Sequence, residues 1–156
     1  MKVNTVLVPL DGSALAEAAL PHLVELAGGK ETHVVLLRAT EASTFPPGDV
    51  LAAQAKAVHE AEQYLADVAM RLGTIGVRHV RCSVWYGTPA AAIIDAAALH
   101  HADLIVMVSH GRSGLGRVVM GSVAESVLRG TTTPILLLRD VRAPLQVPVG
   151  TATCSA

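Results

Sequence analysis

Two segments of the chain carry residue types that can contact a ligand. The first is the turn formed by Asp11, Gly12 and Ser13, directly after a β-branched run. The second is a loop and helix start over residues 109–123. Its glycines are Gly111, Gly114, Gly116 and Gly121. Because glycine lets backbone N–H groups approach an anion, and a following helix offers its positive dipole end, the second segment is a candidate phosphate cradle.

Each of these residues also has a purely structural interpretation. Asp11 fits a turn or helix-entry residue. Ser122 and Glu125 match the Ser-x-x-Glu capping box, which predicts Ser122 as the helix N-cap. Arg112 and Arg117 can neutralise phosphate charge or remain solvated in the loop. The local sequence leaves both interpretations open.

Other nucleotide and catalytic motifs are missing from the sequence. No glycine is followed by Lys and then Ser or Thr, as a P-loop requires. Gly114 and Gly116 follow the fourth predicted strand rather than the first, and Val119 stands where a dinucleotide fingerprint needs its third glycine. The histidines lack metal-ligand spacing, and no nucleophile elbow or acid/base pair is evident. We therefore predict no catalytic residue and no metal site.

Strand-like and helix-like patterns alternate along the chain and must position these segments. The predicted strands cover residues 3–9, 33–39, 79–85, 104–108 and 134–138. Four helices lie between them, and Pro21 is expected to kink the first. This alternation predicts an α/β fold: a five-stranded parallel sheet of order 3-2-1-4-5 with helices on both faces. Ligands of such sheets bind where the winding reverses, here between strands 1 and 4.

Composition limits the classes of partner. A chain of 156 residues fits one domain, and a net charge of -1 gives no long-range attraction to nucleic acid or an anionic membrane. No apolar run approaches the ~20 residues of a membrane span. Cys82 is predicted to be buried, and a reducing cytoplasm is the expected compartment. We expect residues 1–140 to form the domain and residues 141–156 a loosely ordered tail.

Several segments taken together resemble one known family. The matching segments are residues 6–13, 87–90, 102–107, 109–112, 121–125, 127–128 and 133–137. In combination they are similar to the universal stress protein family over about residues 2–139. The resemblance implies a single domain, often paired as a homodimer. An apolar edge strand at residues 134–138 is the expected dimer interface.

One subgroup of that family binds ATP through Gly-x-x-Gly, nine residues, then Gly-Ser or Gly-Thr. Here Gly111, residues 112–120, and the pair Gly121 and Ser122 keep this spacing, but Val108 replaces the first glycine. The resemblance implies one set of nucleotide-contacting residues on the adenine, ribose and phosphate sides. They are Pro9, Asp11, Ala39, Gly111, Arg112, Gly114, Gly121, Ser122 and Val123.

The resemblance thus implies an adenine-nucleotide-binding protein of stress response or signalling. ATP, with or without Mg²⁺ or Mn²⁺, is the expected ligand, and ADP and AMP are alternatives. Nucleotide would alter conformation or the choice of a protein partner, with at most slow hydrolysis. Two other hypotheses stay open: a module of the same fold that has lost nucleotide binding, suggested by Val108, and an ATP-using enzyme.

Overall fold

The computed structural model describes residues 2–27, 31–41, 49–109 and 121–139. The described strands are β1 (Thr5–Pro9), β2 (His33–Thr40), β3 (His79–Tyr86), β4 (Leu104–Ser109) and β5 (Ile135–Arg139). The described helices are α1 (Ala14–Glu17), α2 (Leu20–Ala27), α3 (Val50–Thr74), α4 (Pro89–Leu99) and α5 (Ser122–Gly130).

The strands form one parallel sheet, in which every neighbouring pair runs in the same direction. The strand order is β3-β2-β1-β4-β5. This confirms the predicted architecture, which follows from right-handed crossovers between alternating strands and helices. All five carboxyl ends therefore lie at one edge of the sheet, with β1 and β4 adjacent at the reversal of winding.

The core has two aliphatic layers, one on each face of the sheet. Val6 and Val8 of β1 pack with α2 and α3, whereas Leu7 between them packs with α4 and α5. This division follows from the strand geometry, because successive side chains point to opposite faces. Both faces are covered by helices, and the central strands are accordingly apolar along their length.

Pro21 divides the predicted first helix into two. Helix α1 ends at Glu17 and α2 begins at Leu20, so the expected kink within one continuous helix was wrong. Proline has no N–H to donate to the carbonyl of Glu17, and its ring would collide with that carbonyl in an unbroken helix. Pro21 is instead the second residue of α2, where an N–H needs no partner within the helix.

The predictions for two single residues, Asp49 and Cys82, have different outcomes. Asp49 is the N-cap of α3, as predicted, and its side chain accepts hydrogen bonds from the backbone of Leu51 and Ala52. Cys82 was expected to be buried but is exposed. It lies on β3, the last strand at one side of the sheet, whose exposed positions include Arg81 and Cys82.

Within the part of the chain that the structure describes, no helix combines the length and the apolar character required to cross a membrane. Two segments with sequence predictions fall outside the described residues. They are the centre of the glycine-rich loop, residues 110–120, and the predicted tail, residues 141–156.

Candidate functional site

A cleft of about 670 Å³ opens at the carboxyl edge of the sheet. Strands β1, β2 and β4 and helices α1, α4 and α5 all contribute to its walls. The residues that line it are Pro9, Leu10, Asp11, Ala16, Leu37, Ala39, Pro89, Ile93, Met107, Val108, Ser109, Gly121, Ser122, Val123 and Ala124. The cleft therefore lies at the reversal of winding that the sheet order predicts.

Asp11 enters the cleft from a tight turn after β1. One oxygen of its carboxylate, Oδ1, accepts the backbone N–H of Ser13 at 2.8 Å. Gly12 between them has φ +86°, a conformation that glycine adopts without steric cost. Ser13 in turn caps α1, because its Oγ accepts the backbone N–H of Ala16 at 3.1 Å. The structural role of Asp11 in this turn and its position on the cleft wall coexist.

Helix α5 points its N-terminus into the cleft. Its N-cap is Gly121, and Ser122 is the first helical residue, so the capping-box interpretation of Ser122 was wrong. Glu125 pairs instead with Arg129, one turn further along, at 2.9 Å. No side chain caps α5 among the described residues. The first amides and the positive dipole end of this helix are thus directed at the cleft without a side-chain acceptor, which suits a bound anion.

Part of the cleft wall is apolar. Leu37 and Met107 come from the carboxyl-terminal halves of β2 and β4, and Ile93 lies about one turn into α4. All three belong to the core layer beneath α4 and α5 and are almost completely buried. An apolar wall beside a helix N-terminus can hold an aromatic ring and an attached anionic group in one molecule.

Sequence reasoning missed these apolar wall residues as part of the site. They have the types and spacing of ordinary core residues, and no motif marks them. The available signal was positional: residues at the carboxyl ends of β2 and β4 must border a cleft at that edge. Ser109 and Leu10 follow from the same argument, since each lies at or just after the end of a strand.

Val108, which replaces the first motif glycine, also lines the cleft. It is partly buried and packs against the core layer formed with α2 and α3. Its backbone neighbour on β5 is Leu138. The side chain thus has two environments, the core layer on one side and the cleft on the other.

The structure brings together every predicted site residue that it describes. Pro9, Asp11 and Ala39 line the cleft from β1, the following turn and β2, and Gly121, Ser122 and Val123 line it from α5. The three remaining predicted residues, Gly111, Arg112 and Gly114, lie outside the described residues. Over the described ranges, no group of three or more His, Cys, Asp or Glu residues is arranged to hold a metal ion.

Comparison with known proteins identifies the family. The model of the Universal stress protein family matches residues 2–139. The chain belongs to the universal stress protein family. The match covers all five strands and the residues that line the cleft.

Solved structures of similar chains share this fold. The hypothetical protein MJ0577 superposes with a TM-score of 0.78 and 26% identity over 91% of this chain and 99% of that chain. A universal stress protein in complex with cAMP has a TM-score of 0.67, with 24% identity over 89% and 98% of the two chains. A family protein of Arabidopsis thaliana with AMP bound has a TM-score of 0.64, with 16% identity over 87% and 91%.

Proposed function

We propose that this universal stress protein binds an adenine nucleotide in the cleft at the carboxyl edge of the sheet. ATP is the expected ligand, with ADP and AMP as alternatives. The observation that carries the proposal is the meeting, in one cleft, of the apolar wall formed by Leu37, Ile93 and Met107 with the N-terminus of α5. The cAMP and AMP bound to two proteins of the same fold support the same ligand class.

The cleft suggests an orientation for the nucleotide. Adenine would lie against the apolar wall near Ala39, where an aromatic ring removes apolar side-chain surface from water. The ribose would lie near Asp11, whose carboxylate can accept hydrogen bonds from hydroxyl groups. The phosphates would then extend toward Gly121 and Ser122, where backbone amides at the start of α5 can donate to them. Arg112 and Gly114 are proposed additional contacts on the phosphate side, together with Gly111.

Nucleotide binding would serve stress response or signalling in the cytoplasm by changing the conformation or the choice of a protein partner. Hydrolysis is expected to be at most slow, because the described residues of the cleft include one carboxylate and no histidine. A colorimetric phosphate-release assay over hours at saturating ATP measures this. Turnover at rates typical of enzymes, about 1–10³ s⁻¹, would instead favour the ATP-using enzyme.

The decisive experiment has two steps. Mass spectrometry of ligand released from freshly purified protein identifies what the cleft carries, and calorimetry of ligand-free protein then measures affinity for ATP, ADP, AMP and cAMP. We expect adenine nucleotides to bind and GTP to bind at least tenfold more weakly, since guanine would bring an additional polar group against the apolar wall. Repeating the ATP titration with Mg²⁺, with Mn²⁺ and with a chelator tests whether a divalent metal contributes to ATP binding.

The same experiment examines the alternative function. Val108 adds bulk at a cleft position where the binding motif has glycine, which favours a module that acts only through protein contacts. Absence of released ligand, together with no measurable heat for any nucleotide, would contradict the proposed function and support that alternative.

We also propose that two copies pair through β5. This strand has a described neighbour only on its β4 side, and Leu136 and Leu137 are each more than one third exposed. An apolar edge strand is prone to pair with another chain, and a second copy would cover it. Leu136→Glu with Leu137→Glu should give monomer in light scattering, because like charges would face each other across the paired strands. Ile135 is unsuitable for this test because it packs against the core. A stable dimer in the folded double variant would exclude this interface.

A further inference from the structure

Arg38 occupies a position on β2 where an aliphatic residue would be expected. Val34 and Leu36 on the same face of the strand are completely buried in the layer beneath α3, and Arg38 is the next residue on that face. It is half-buried and lies beside Leu37 and Ala39, which line the cleft. Within the described ranges, no carboxylate forms an ion pair with it. The contacts of Arg38 are instead with the turn at Gly12 and with the ring of Tyr64.

One side of the Arg38 guanidinium lies against the turn that carries Asp11. A β-carbon added to Gly12 would lie 3.1 Å from Nη1 and 3.3 Å from Nη2 of Arg38. The guanidinium group thus occupies the space in which a side chain at position 12 would have to begin. Gly12 is suited to this turn for two reasons: its φ of +86° and this close approach.

The other contact of Arg38 is with helix α3. Its Cζ atom lies 4.9 Å from the centre of the Tyr64 ring, in the geometry of a cation–π interaction. The Tyr64 hydroxyl donates to Oε1 of Glu17 at 3.0 Å, and Arg71 donates to both oxygens of Glu17 at 3.0 and 3.1 Å. Glu17 is the last residue of α1, the helix that starts directly after the Asp11 turn.

These contacts form a continuous set that we call the Arg38 clamp: Arg38, Tyr64, Glu17 and Arg71. Within it, the guanidinium lies against Gly12 of the Asp11 turn, and the Glu17 hydrogen bonds connect the end of α1 to α3. Arginine suits this place because its planar group can stack on an aromatic face while its edge lies against the turn, a geometry that a compact, strongly hydrated ammonium group matches less well. Tyr64 and Arg71 connect the turn to a helix of 25 residues.

We infer that Arg38 is a positioning residue for the cleft, which holds the Asp11 turn in the conformation that receives the ribose of the nucleotide. The inference rests on the proposed function for its effect on affinity. It does not require Arg38 to touch the ligand. A residue that fixes the turn affects every ligand bearing the ribose, whereas a residue that contacts phosphate affects only phosphorylated ligands.

This difference defines the binding experiment. Arg38→Met should weaken ATP and adenosine by a similar factor of about five to ten, as measured by calorimetry. Arg38→Lys should not restore affinity, because it keeps the charge but loses the planar group. Tyr64→Leu should resemble Arg38→Met. Tyr64→Phe keeps the ring face and loses only the hydroxyl that donates to Glu17, which Arg71 still binds with two hydrogen bonds, so ATP affinity should stay within about twofold of the wild type. Arg81→Met, at an exposed position of β3, is the matched control and should leave both affinities unchanged.

A second measurement tests the clamp without any ligand. The backbone amide resonance of Gly12, in a nitrogen–proton correlation spectrum of ligand-free protein, should move in Arg38→Met and Tyr64→Leu and remain near its wild-type position in Tyr64→Phe. Circular dichroism and thermal melting establish that each variant is folded. If the wild type binds neither ligand, the proposed function fails, and the Gly12 resonance still tests the clamp.

Three results would overturn the inference. An unchanged Gly12 resonance in Arg38→Met would show that the guanidinium does not influence the turn. Unchanged affinity for both ligands in that variant would show that the turn does not depend on it. A loss confined to ATP, with adenosine unaffected, would make Arg38 a direct phosphate contact instead of a positioning residue.

Discussion

The amino edge and the carboxyl edge of the sheet differ in how their polar groups are bonded. At the amino edge, Oδ2 of Asp103 accepts the backbone N–H groups of Asn4 and Thr5, both at 2.9 Å. Nearby, Glu31 pairs with His79 at 3.0 Å and with Arg78 at 3.9 Å. At the carboxyl edge, the cleft is lined largely by apolar side chains, and the α5 N-terminus has no side-chain cap among the described residues.

The comparison indicates why one edge is better suited to a ligand. A hollow of about 410 Å³ also exists at the amino edge, so space alone does not distinguish the two. Two of the side chains that line it, Arg78 and His79, already pair with Glu31, and a ligand would have to compete with those pairs. The hydrogen bonds from Thr5 and Asn4 hold the pKa of the Asp103 carboxyl below its usual range, so this group stays a charged acceptor for the backbone. At the carboxyl edge, backbone donors meet an apolar wall.

The largest expected effects come from breaking the cleft itself. Gly121→Val should reduce ATP affinity at least tenfold, about 1.4 kcal/mol or more, because it adds bulk where the helix amides meet the phosphates. Gly121 has φ -60° and ψ 147°, a conformation open to valine, so the variant should fold. Asp11→Ala should also weaken binding, by roughly tenfold, by removing the ribose-side acceptor. Calorimetry on both folded variants measures these losses.

The matched control lies at the amino edge. Asp103→Ala should lower the melting temperature, since two backbone N–H groups lose their acceptor, while the ATP affinity of the folded protein stays at the wild-type value. If Asp11→Ala and Gly121→Val both bind ATP as well as the wild type does, the carboxyl-edge site is wrong. If Asp103→Ala weakens ATP as much as they do, the two edges do not differ as proposed.

A smaller effect, in the opposite direction, is expected at Val108. Val108→Gly removes a β-branched side chain from the cleft wall and restores the motif glycine, so ATP should bind about tenfold more tightly, near 1.4 kcal/mol. Because Val108 also packs against the core layer with α2 and α3, the substitution should lower stability. Parallel ATP titrations and thermal melts measure both. Equal ATP affinities would show that the side chain turns away from the nucleotide.

The fold followed closely from the sequence because its signals are local and repeated. The β-branched run of β1 and the cap at Asp49 each predicted an element correctly. The alternation of strands and helices, together with right-handed crossovers, gave the strand order. Elements joined by short connections were therefore predictable without any knowledge of distant contacts.

The sequence predictions that were wrong failed for physical reasons that the residue pattern does not show. The helical periodicity continues across Pro21, so it could not show that the chain breaks into α1 and α2. Ser122 has the better capping side chain, but the helix begins one residue earlier, with Gly121 as its N-cap. Cys82 has an apolar type, yet β3 is a border strand with exposed positions. The contact between Arg38 and Tyr64 joins residues far apart in sequence that no motif links.

The smallest predicted effect separates stability from binding by means of pH. The hydrogen bond from Arg71 holds the pKa of the Glu17 carboxyl below its ordinary value of 4.5, and the Tyr64 hydroxyl adds to the same shift against partial burial. A carboxyl with a lower pKa in the folded state contributes stability above the unfolded value. This contribution is lost as the pH falls through the folded value. The pH range in which the stability contributed by Glu17 is lost therefore begins near pH 4.5 and extends to lower pH.

Arg71→Gln removes the main cause of that shift. The folded pKa of Glu17 should return toward 4.5, so the free energy of unfolding should depend less steeply on pH below about 5. Near pH 7 the loss should be about 1 kcal/mol, because Arg71 is half exposed and solvent screens the pair. Urea unfolding of wild type and variant at pH 7 and at pH 4 measures both quantities, with Arg129→Gln, which removes the exposed pair with Glu125, as the matched control.

Parallel pH profiles for wild type and Arg71→Gln would mean that the Glu17 carboxyl contributes nothing to acid sensitivity. A large drop in the ATP affinity of Arg71→Gln at pH 7 would mean that Glu17 and Arg71 hold the Asp11 turn as strongly as Arg38 does. The cleft would then depend on α3 through the pair of Glu17 and Arg71 as well as through the contact of Arg38 with Tyr64.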